Sequence, residues 1–280
     1  MDKSRYINAG GRLLDLNVPK VMGIINVTTD SFYAESRFNS DSEIVAAAEQ
    51  MIKDGVDIID IGGSSSYPGA PEMPADCEEK RVLSAVKLIR KEFPNAIISI
   101  DTCRAAIAEK AVVEYGVHIV NDISGGDADT EMFKIISKIK VPYILMHTRG
   151  CPKTMQNNPV YNDVVSDILK YFSDRIFKLQ SAGVNDIIID PGFGFGKSIE
   201  HNFELLRRLE DFAIAGLPLM VGLSRKSLIW KTLNIKPEEA LAGTVALNAL
   251  ALIKGADIIR VHDVKEAVQT VKLVCKIKIN

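Results

Sequence analysis

The sequence predicts an α/β protein, a single-domain (β/α)8 TIM barrel with a short N-terminal extension expected to form a hairpin. Three observations carry that expectation. Eight short apolar, β-branched runs recur along the chain, at residues 21–26, 57–61, 96–101, 117–121, 141–147, 186–190, 217–222 and 257–262. Their near-continuous apolarity suits strands covered on both faces, whereas a half-exposed antiparallel strand would alternate. Amphipathic helical segments separate the runs. The chain has 280 residues, 47% of them hydrophobic, close to the roughly 250 that one barrel of this kind needs. An open doubly wound sheet shares the local strand-helix signature, but the count of eight favours closure.

The elements follow in order. Residues 1–19 form the extension and 20–280 the barrel; the Gly10-Gly11 pair inside residues 6–14 is a turn signal for a hairpin across the barrel floor. The first helix is expected over residues 42–53, with Ile44, Ala48, Met51 and Ile52 on one face, a Ser40-x-x-Glu43 capping box before it and Gly55 after it. Residues 76–93 make the next, stopped by Pro94, and 160–182 and 237–254 are the longest helical stretches, with 264–276 closing the series. Gly116, Gly183, Gly216 and Gly255 each stand between a helical pattern and a strand, where the chain must turn back through a left-handed residue.

Composition excludes several classes. Lys and Arg number 34 against 36 Asp and Glu, without long like-charge blocks, so no nucleic-acid surface is expected. No stretch stays apolar long enough to span a membrane and the first ten residues lack a signal-peptide core, so a cytoplasmic protein is expected. Cys77, Cys103, Cys151 and Cys275 lie far apart with no Cys-x-x-Cys pair, which fits reduced thiols better than a zinc knuckle or disulfides.

Barrel enzymes place their chemistry at the C-terminal strand ends. Here those ends carry Asn26, Asp60, Asp101, Asn121, His147 and Asp190, then Ser224-Arg225-Lys226 past the seventh run, and Arg260 with His262 on the eighth. Any one Asp or Asn could be an ordinary cap or turn residue. Converging on one mouth, the set is costly to desolvate unless it binds a polar ligand. Arg225 and Lys226 stand near a helix start, where positive charge opposes the helix dipole, so a bound anion is expected to explain both. Arg260 and His262 alternate along one strand and so point the same way. The Gly-rich run from Asp190 to Ser198 is neither a Walker loop, since Pro191 stands where glycine is needed, nor a dinucleotide fingerprint, since Lys197 does. His118 inside a strand reads as structural, and His201 as the start of a helix.

Taken together, Asn26-Val-Thr-Thr-Asp-Ser-Phe32, Asp60-Ile-Gly-Gly63, Pro68-Gly69-Ala70, Ile100-Asp-Thr102, Asn121-Asp-Ile-Ser-Gly-Gly126, the Asp190 to Lys197 run, Ser224-Arg-Lys226 and Arg260-Val-His-Asp263 resemble the dihydropteroate synthase family of pterin-binding barrels. The resemblance runs from about Val21 to Val264, with the motifs in the family's order. It implies a transferase of folate biosynthesis that condenses 6-hydroxymethyl-7,8-dihydropterin diphosphate with p-aminobenzoate, with Mg2+ as cofactor, a homodimeric assembly and sensitivity to sulfonamides. By matched position, Asp101, Asn121 and Asp190 hold the pterin edge, Lys226 contacts the ring and Arg260 stacks on it. Asn26 holds the diphosphate-bound Mg2+, His262 and Arg260 meet diphosphate oxygens, and Phe195 and Ser227 border p-aminobenzoate. Asp60, Ser66 and Met146 complete the implied substrate-binding set, and Lys226, Arg260 and His262 the catalytic one. A non-catalytic pterin-binding paralogue and a pterin-dependent methyltransferase on the same barrel are the alternatives; the second would not need the cationic cluster.

Both loops beyond the first two strands depart from the family pattern, the first carrying Ala34-Glu35-Ser36 where a Gly pair is usual and the second Ser64-Ser65-Ser66-Tyr67 where Glu-Ser-Thr-Arg is. Thr29 also stands where the first loop usually has Pro, and Tyr67 where the second usually has Arg. A phenol cannot supply the charge with which that Arg is expected to meet diphosphate and help order the loops around p-aminobenzoate. Replacing Tyr67 with Arg is therefore expected to raise catalytic efficiency several-fold and to change sulfonamide affinity. Steady-state kinetics and inhibitor titration of Y67R check this, and unchanged values for both would show that the loops do not depend on that charge.

Overall fold

A computed structural model of the protein describes residues 6–27, 40–63, 73–150 and 159–277. The chain opens with an antiparallel hairpin, β1 (Tyr6–Ala9) and β2 (Arg12–Asp15), paired from Tyr6 with Asp15 to Ala9 with Arg12. Gly10 and Gly11 turn it with φ of 61° and 86°, the left-handed pair that a two-residue hairpin loop demands. Alternating burial in β1 sends Ile7 and Ala9 inward and leaves Tyr6 and Asn8 exposed.

Eight parallel strands follow. They are β3 (Lys20–Asn26), β4 (Ile58–Gly62), β5 (Ile98–Asp101), β6 (Ile119–Asp122), β7 (Tyr143–Met146), β8 (Ile187–Asp190), β9 (Met220–Val221) and β10 (Ile258–Val261). They lie in the order β8-β7-β6-β5-β4-β3-β10-β9. The ring closes where Ile189 pairs with Leu219 and its N–H reaches the Pro218 carbonyl at 2.9 Å. Around them stand α1 (Asp41–Asp54), α2 (Ala75–Glu92), α3 (Ala105–Tyr115), α4 (Met132–Ile139), α5 (Val164–Ser181), α6 (Ile199–Arg207), α7 (Ser227–Leu233), α8 (Leu241–Ile253) and α9 (Val264–Ile277). The expected (β/α)8 barrel is thus the observed fold.

Local chemistry sets the element ends. The Ser40–Glu43 capping box starts α1, and Gly55 ends it at φ 93°. The four glycines expected to turn left-handed all do so, Gly116, Gly183, Gly216 and Gly255 having φ of 65°, 84°, 64° and 98°. Two long helical stretches are shorter than the pattern predicts. Asp163 caps the backbone N–H of Ser166, so α5 begins at Val164 rather than at residue 160. Pro237 opens a separate 3-10 turn, Pro237–Glu239, before α8. The run at 217–222 contributes only two residues to regular pairing, because Pro218 has no N–H to give a neighbouring strand.

The core has two parts. Outward-facing strand residues such as Ile59, Ile61, Ile98, Ile100 and Leu145 pack under the helices. Inside the barrel, Met22, Ile58, Ile119, Ile144, Ile188, Met220 and Ile258 form one layer, sealed from below by Ile7, Ala9, Leu14 and Leu16 of the hairpin and its exit. With the floor plugged by apolar side chains, the barrel interior is open to a polar ligand from the opposite mouth.

The hairpin tip rests on a histidine. A Cβ on Gly10 would lie 2.8 Å from His118 Cδ2, so only glycine allows this approach. His118 Nδ1 accepts from Ile98 N at 3.1 Å and lies 3.2 Å from Arg90 Nη2, which makes it the structural residue its sequence context suggests. Burial first, then the charges of Arg90 and Arg12, hold its imidazole down to about 4. The folded-state value is below the unfolded one, so stability from the neutral ring is fully present above about pH 6.5 and lost as pH falls to 4. Urea unfolding of wild type and His118→Asn at pH 7.5 and 4.5 tests this. Asn keeps an acceptor near Nδ1 without the titration, so wild type should lose on the order of 2 kcal/mol more than the variant over that interval. Equal losses would refute the assignment.

Candidate active site

Side chains two apart on a strand share a face. One step up from the apolar inner layer, the same strands therefore project Ile24, Asp60, Ser99, Asn121, Met146, Asp190, Gly222 and Arg260 into the barrel, and Asn26, Gly62, Asp101 and His262 follow at or just past the strand ends. Asp60, Asn121, Met146 and Asp190 are buried, while Asn26, Asp101, Phe195, Lys226, Ser227, Arg260 and His262 are half-buried around the mouth. Thus every candidate binding residue within the described parts gathers at one end of one barrel. Ser66, together with Thr29, Tyr67 and Cys151, lies outside the described residues.

Arg260 spans the mouth. Its Nε donates to Asp60 Oδ2 and its Nη2 to Asp101 Oδ2, both at 2.7 Å, while Asn121 Nδ2 donates to the same Asp60 oxygen at 3.1 Å. Burial pushes the Asp101 carboxyl above the usual range, against the opposing pull of Arg260. Two acceptor oxygens, Asp60 Oδ1 and Asn121 Oδ1, are buried without a hydrogen-bond partner among the described residues. Such atoms suit a ligand with an edge of N–H donors. Behind Asn121, Asp122 accepts from Ser124 N, Ser124 Oγ, Gly126 N and Tyr143 Oη at 2.6–2.8 Å, which fixes the loop leaving β6.

Across the barrel, Asp190 Oδ1 accepts from Gly192 N at 2.8 Å. Burial raises its pKa, with Lys226 pulling the other way. Lys226 Nζ donates to the Phe193 carbonyl at 2.5 Å and sits 4.8 Å from the centre of the Phe195 ring. Burial lowers this ammonium to about 8 despite Asp190. Gly222 lies alongside the lysine, where a Cβ would meet Lys226 Nζ in ordinary contact at 3.5 Å.

His262 sits beside Ser224, whose Oγ is 3.0 Å from Nδ1 and accepts the His262 backbone N–H at 3.3 Å. Where the Ser224 hydroxyl donates to Nδ1, the ring proton sits on Nε2. Burial, helped by Arg260, Arg225 and Lys226, holds the imidazole down to about 3, so it is neutral at pH 7.

Arg225 corrects an expectation. It is not half of an anion site with Lys226. Its guanidinium is buried against Asp263, with Nε and Nη2 at 2.9 and 2.8 Å from the carboxylate oxygens, and Nη1 donates to the carbonyls of Pro237 and Glu238. It ties the turn after β9 to the start of α9 while holding a left-handed φ of 53°. Lys197, passed over in the sequence, is likewise buried and bonded within the protein; its place at the end of a glycine-rich loop was the available signal.

Magnesium is implied by the family resemblance. It joins one or two protein oxygens to substrate phosphates and keeps several waters. Among the described residues no group of three or more His, Cys, Asp or Glu could hold a metal ion. The Asn26 amide oxygen, half-buried at the mouth end of β3, fits the lesser requirement of one neutral oxygen ligand.

Buried acceptors and three nitrogen donors gathered at one mouth define a barrel enzyme for a ligand that is rich in N–H groups and carries an anion. The chain belongs to the pterin binding enzyme family, whose model matches residues 22–262. It is 42% identical over 268 residues to the dihydropteroate synthase of Escherichia coli K12, covering 95% of this chain and 94% of that one. It is 40% identical to the Bacillus subtilis dihydropteroate synthase, over 90% of this chain and 86% of that one. Among solved structures, a Yersinia pestis dihydropteroate synthase in complex with a sulfonamide drug superposes with a TM-score of 0.94 at 39% identity, covering 98% of this chain and 99% of the other. The Xanthomonas albilineans enzyme with 4-aminobenzoic acid gives 0.90 at 34%, over 99% of both chains.

The two neighbouring cations should separate experimentally. Removing one partner of a buried ion pair costs roughly 3–5 kcal/mol, so Arg225→Met should lower unfolding free energy by about that much. Lys226→Met should leave stability within about 1 kcal/mol, because it removes a charge that burial already disfavours, and should instead abolish most ligand affinity. Chemical denaturation and pterin titration of both variants decide, and equal stability losses would undo the distinction.

Proposed function

We propose that the protein catalyses the dihydropteroate synthase reaction, joining 6-hydroxymethyl-7,8-dihydropterin diphosphate to p-aminobenzoate with release of diphosphate. The observation that carries this reading is the gathering of the acceptors Asp101, Asn121 and Asp190 with Lys226, Arg260 and His262 at the same mouth. Relatives of the same length and fold bear that activity in their names.

A pterin offers an amidine-like row of N–H donors. Asp101, Asn121 and Asp190 accept from such an edge, and a ligand without it would leave buried acceptors unpaired, which is how the site discriminates. Lys226 contacts the ring and Arg260 lies across its face. Asp60 holds Arg260 and Asn121 in place from below.

The amine nitrogen of p-aminobenzoate attacks the methylene carbon of the pterin. A C–N bond forms, the C–O bond to diphosphate breaks with its electron pair going to the leaving oxygen, and the nitrogen's extra proton passes to solvent. A neutral aromatic amine needs no activating relay. The protein's task is to receive the charge of the departing diphosphate. Arg260, Lys226 and the Nε2–H of neutral His262 supply donors there without deprotonating anything, each well-placed donor contributing about 3 kcal/mol. Asn26 would hold Mg2+, which when bound with the diphosphate offsets part of its negative charge. Phe195 and Ser227 border the amine side.

A homodimer is part of this reading. Leu250 and Ile253 on α8 and Leu273 and Ile277 on α9 are exposed apolar side chains on adjacent helices, a surface that a second copy can cover. A cytoplasmic location fits too: no helix among the described residues is long and apolar enough to cross a membrane, and Cys77, Cys103 and Cys275 are free thiols.

A coupled diphosphate-release assay tests the reading. Release should require both pterin diphosphate and p-aminobenzoate, should fall on magnesium removal, and should drop on the order of 100-fold in kcat for His262→Phe. Pterin binding without release under any condition would identify a non-catalytic pterin-binding protein instead. Sedimentation equilibrium at two chain masses checks the dimer.

A further inference from the structure

The β8–α6 loop, residues 191–198, carries Phe195, assigned above to p-aminobenzoate, and follows directly on Asp190, assigned to the pterin, yet it is almost devoid of regular structure. Gly192, Gly194 and Gly196 hold φ of 69°, 82° and 62°. A Cβ on Gly192 would collide with the His147 carbonyl, and one on Gly196 with that of Arg149, so the loop lies directly against the chain leaving β7. Glycines permit this path but do not impose it, because each has the widest conformational freedom of any residue.

What imposes it is Lys197. The side chain is 2% exposed, and its Nζ lies 2.9 Å from the carbonyls of Gly192 and Phe195, 2.9 Å from His147 Nδ1 and 3.3 Å from the His147 carbonyl. The nitrogen has four acceptors around it, all from the protein, so even fully protonated it has no hydrogen left for a ligand, and burial pushes its pKa well below the ordinary lysine value. His147 can serve as an acceptor because burial, then the charge of Lys197, keeps its ring neutral, down to about 2. The His147 ring is itself steadied edge-on against Tyr171, with centroids 4.7 Å apart. Asn202 adds a second tie, accepting from Gly194 N at 2.7 Å and donating to the Ser198 carbonyl at 2.6 Å.

The groups that a ligand would meet on this loop are one bond away from those ties. The Phe193 carbonyl, between the tied residues 192 and 195, receives Lys226 Nζ, and the Phe195 ring lies against the same ammonium. Of the pterin acceptors, Asp190 ends a strand paired to Met146 but also accepts from Gly192 N, whereas Asp101 and Asn121 stand on β5 and β6.

We propose that Lys197 is a positioning residue that folds the β8–α6 loop around its side-chain nitrogen, and so sets where Phe195 borders the aromatic amine. Asp101 and Asn121, held on β5 and β6, keep most of the pterin edge independent of this clamp. The inference rests on the reaction proposed above, but its consequence is a division between the two substrates that can be measured without turnover.

The test uses the whole protein and Lys197→Met, which keeps the length of the side chain and loses its donors. Calorimetric titration with 6-hydroxymethylpterin, and with p-aminobenzoate in the presence of pterin and diphosphate, is run beside kcat and KM. The expected result is a rise of about 10-fold in Kd and KM for p-aminobenzoate, with the pterin values changed less than about 3-fold. If K197M does not fold, His147→Phe removes one acceptor while keeping the aromatic contact with Tyr171, and should raise the p-aminobenzoate values about 3-fold with those for pterin unchanged. Equal weakening of both substrates, or a lower thermal midpoint with unchanged constants, overturns the proposal. Absence of diphosphate release in the wild type speaks against the reaction, whereas the calorimetric division still decides the role of Lys197.

Discussion

The structure of this site depends on Arg260 bridging two strands from the far side of the barrel. An aspartate buried without a partner would cost several kcal/mol, and Asp60 is completely buried beneath the mouth. The guanidinium answers that cost by bonding Asp60 and Asp101 at once, each through a different nitrogen. One planar cation thereby fixes β10 against β4 and β5, orients Asn121 through the shared Asp60 oxygen, and leaves the second oxygens of Asp60 and Asn121 for other donors. Lysine could not do the same, because a point charge on a flexible stem lacks the fork that reaches two carboxylates in one geometry. The mouth is thus already assembled before a ligand arrives, which lowers the ordering cost of binding.

The barrel makes this possible by separating layers. A two-residue repeat puts Ile58 and Asp60, Ile119 and Asn121, Ile188 and Asp190, and Ile258 and Arg260 on the same interior face, with the apolar member always below. Below that apolar layer the hairpin plugs the floor, its tip seated on His118. Polar groups one layer up are shielded from water on one side and open on the other, so their charges act at short range in a medium less screening than water. The displaced pKa values of Asp101, Asp190, Lys226 and His262 all express that half-enclosure, with burial the leading cause in each.

Much of this was legible in the chain. Eight apolar runs, each ending in a polar residue, locate both the barrel and its mouth, because strand periodicity is local and the position of chemistry on this fold is general. Glycine positions were equally readable, since a left-handed turn after a helix has few other solutions. The helix boundaries near 160 and 237 were not, because a side-chain cap at Asp163 and a proline-led turn override the hydrophobic pattern that suggested longer helices. The partner of a charge was the least legible feature of all. Asp263 lies 38 positions from Arg225 and Asp60 lies 200 from Arg260, distances over which no local pattern speaks.

Four cations illustrate why partners decide function. Lys197, Arg225, Lys226 and Arg260 all stand near strand ends, and in the sequence each could serve an anion. The fold divides them. Arg225 and Lys197 are almost fully buried, with their donors bonded to Asp263, to carbonyls or to His147, so they shape the loops and contact nothing that enters. Lys226 and Arg260 remain half-buried at the mouth. The two pairs depend on each other: Arg225 anchors the turn from which Lys226 extends, and Lys197 shapes the loop whose Phe193 carbonyl receives the Lys226 ammonium. A cation that meets a ligand can be left under-satisfied at the mouth only because a neighbouring cation, fully satisfied inside the protein, holds the backbone that carries it.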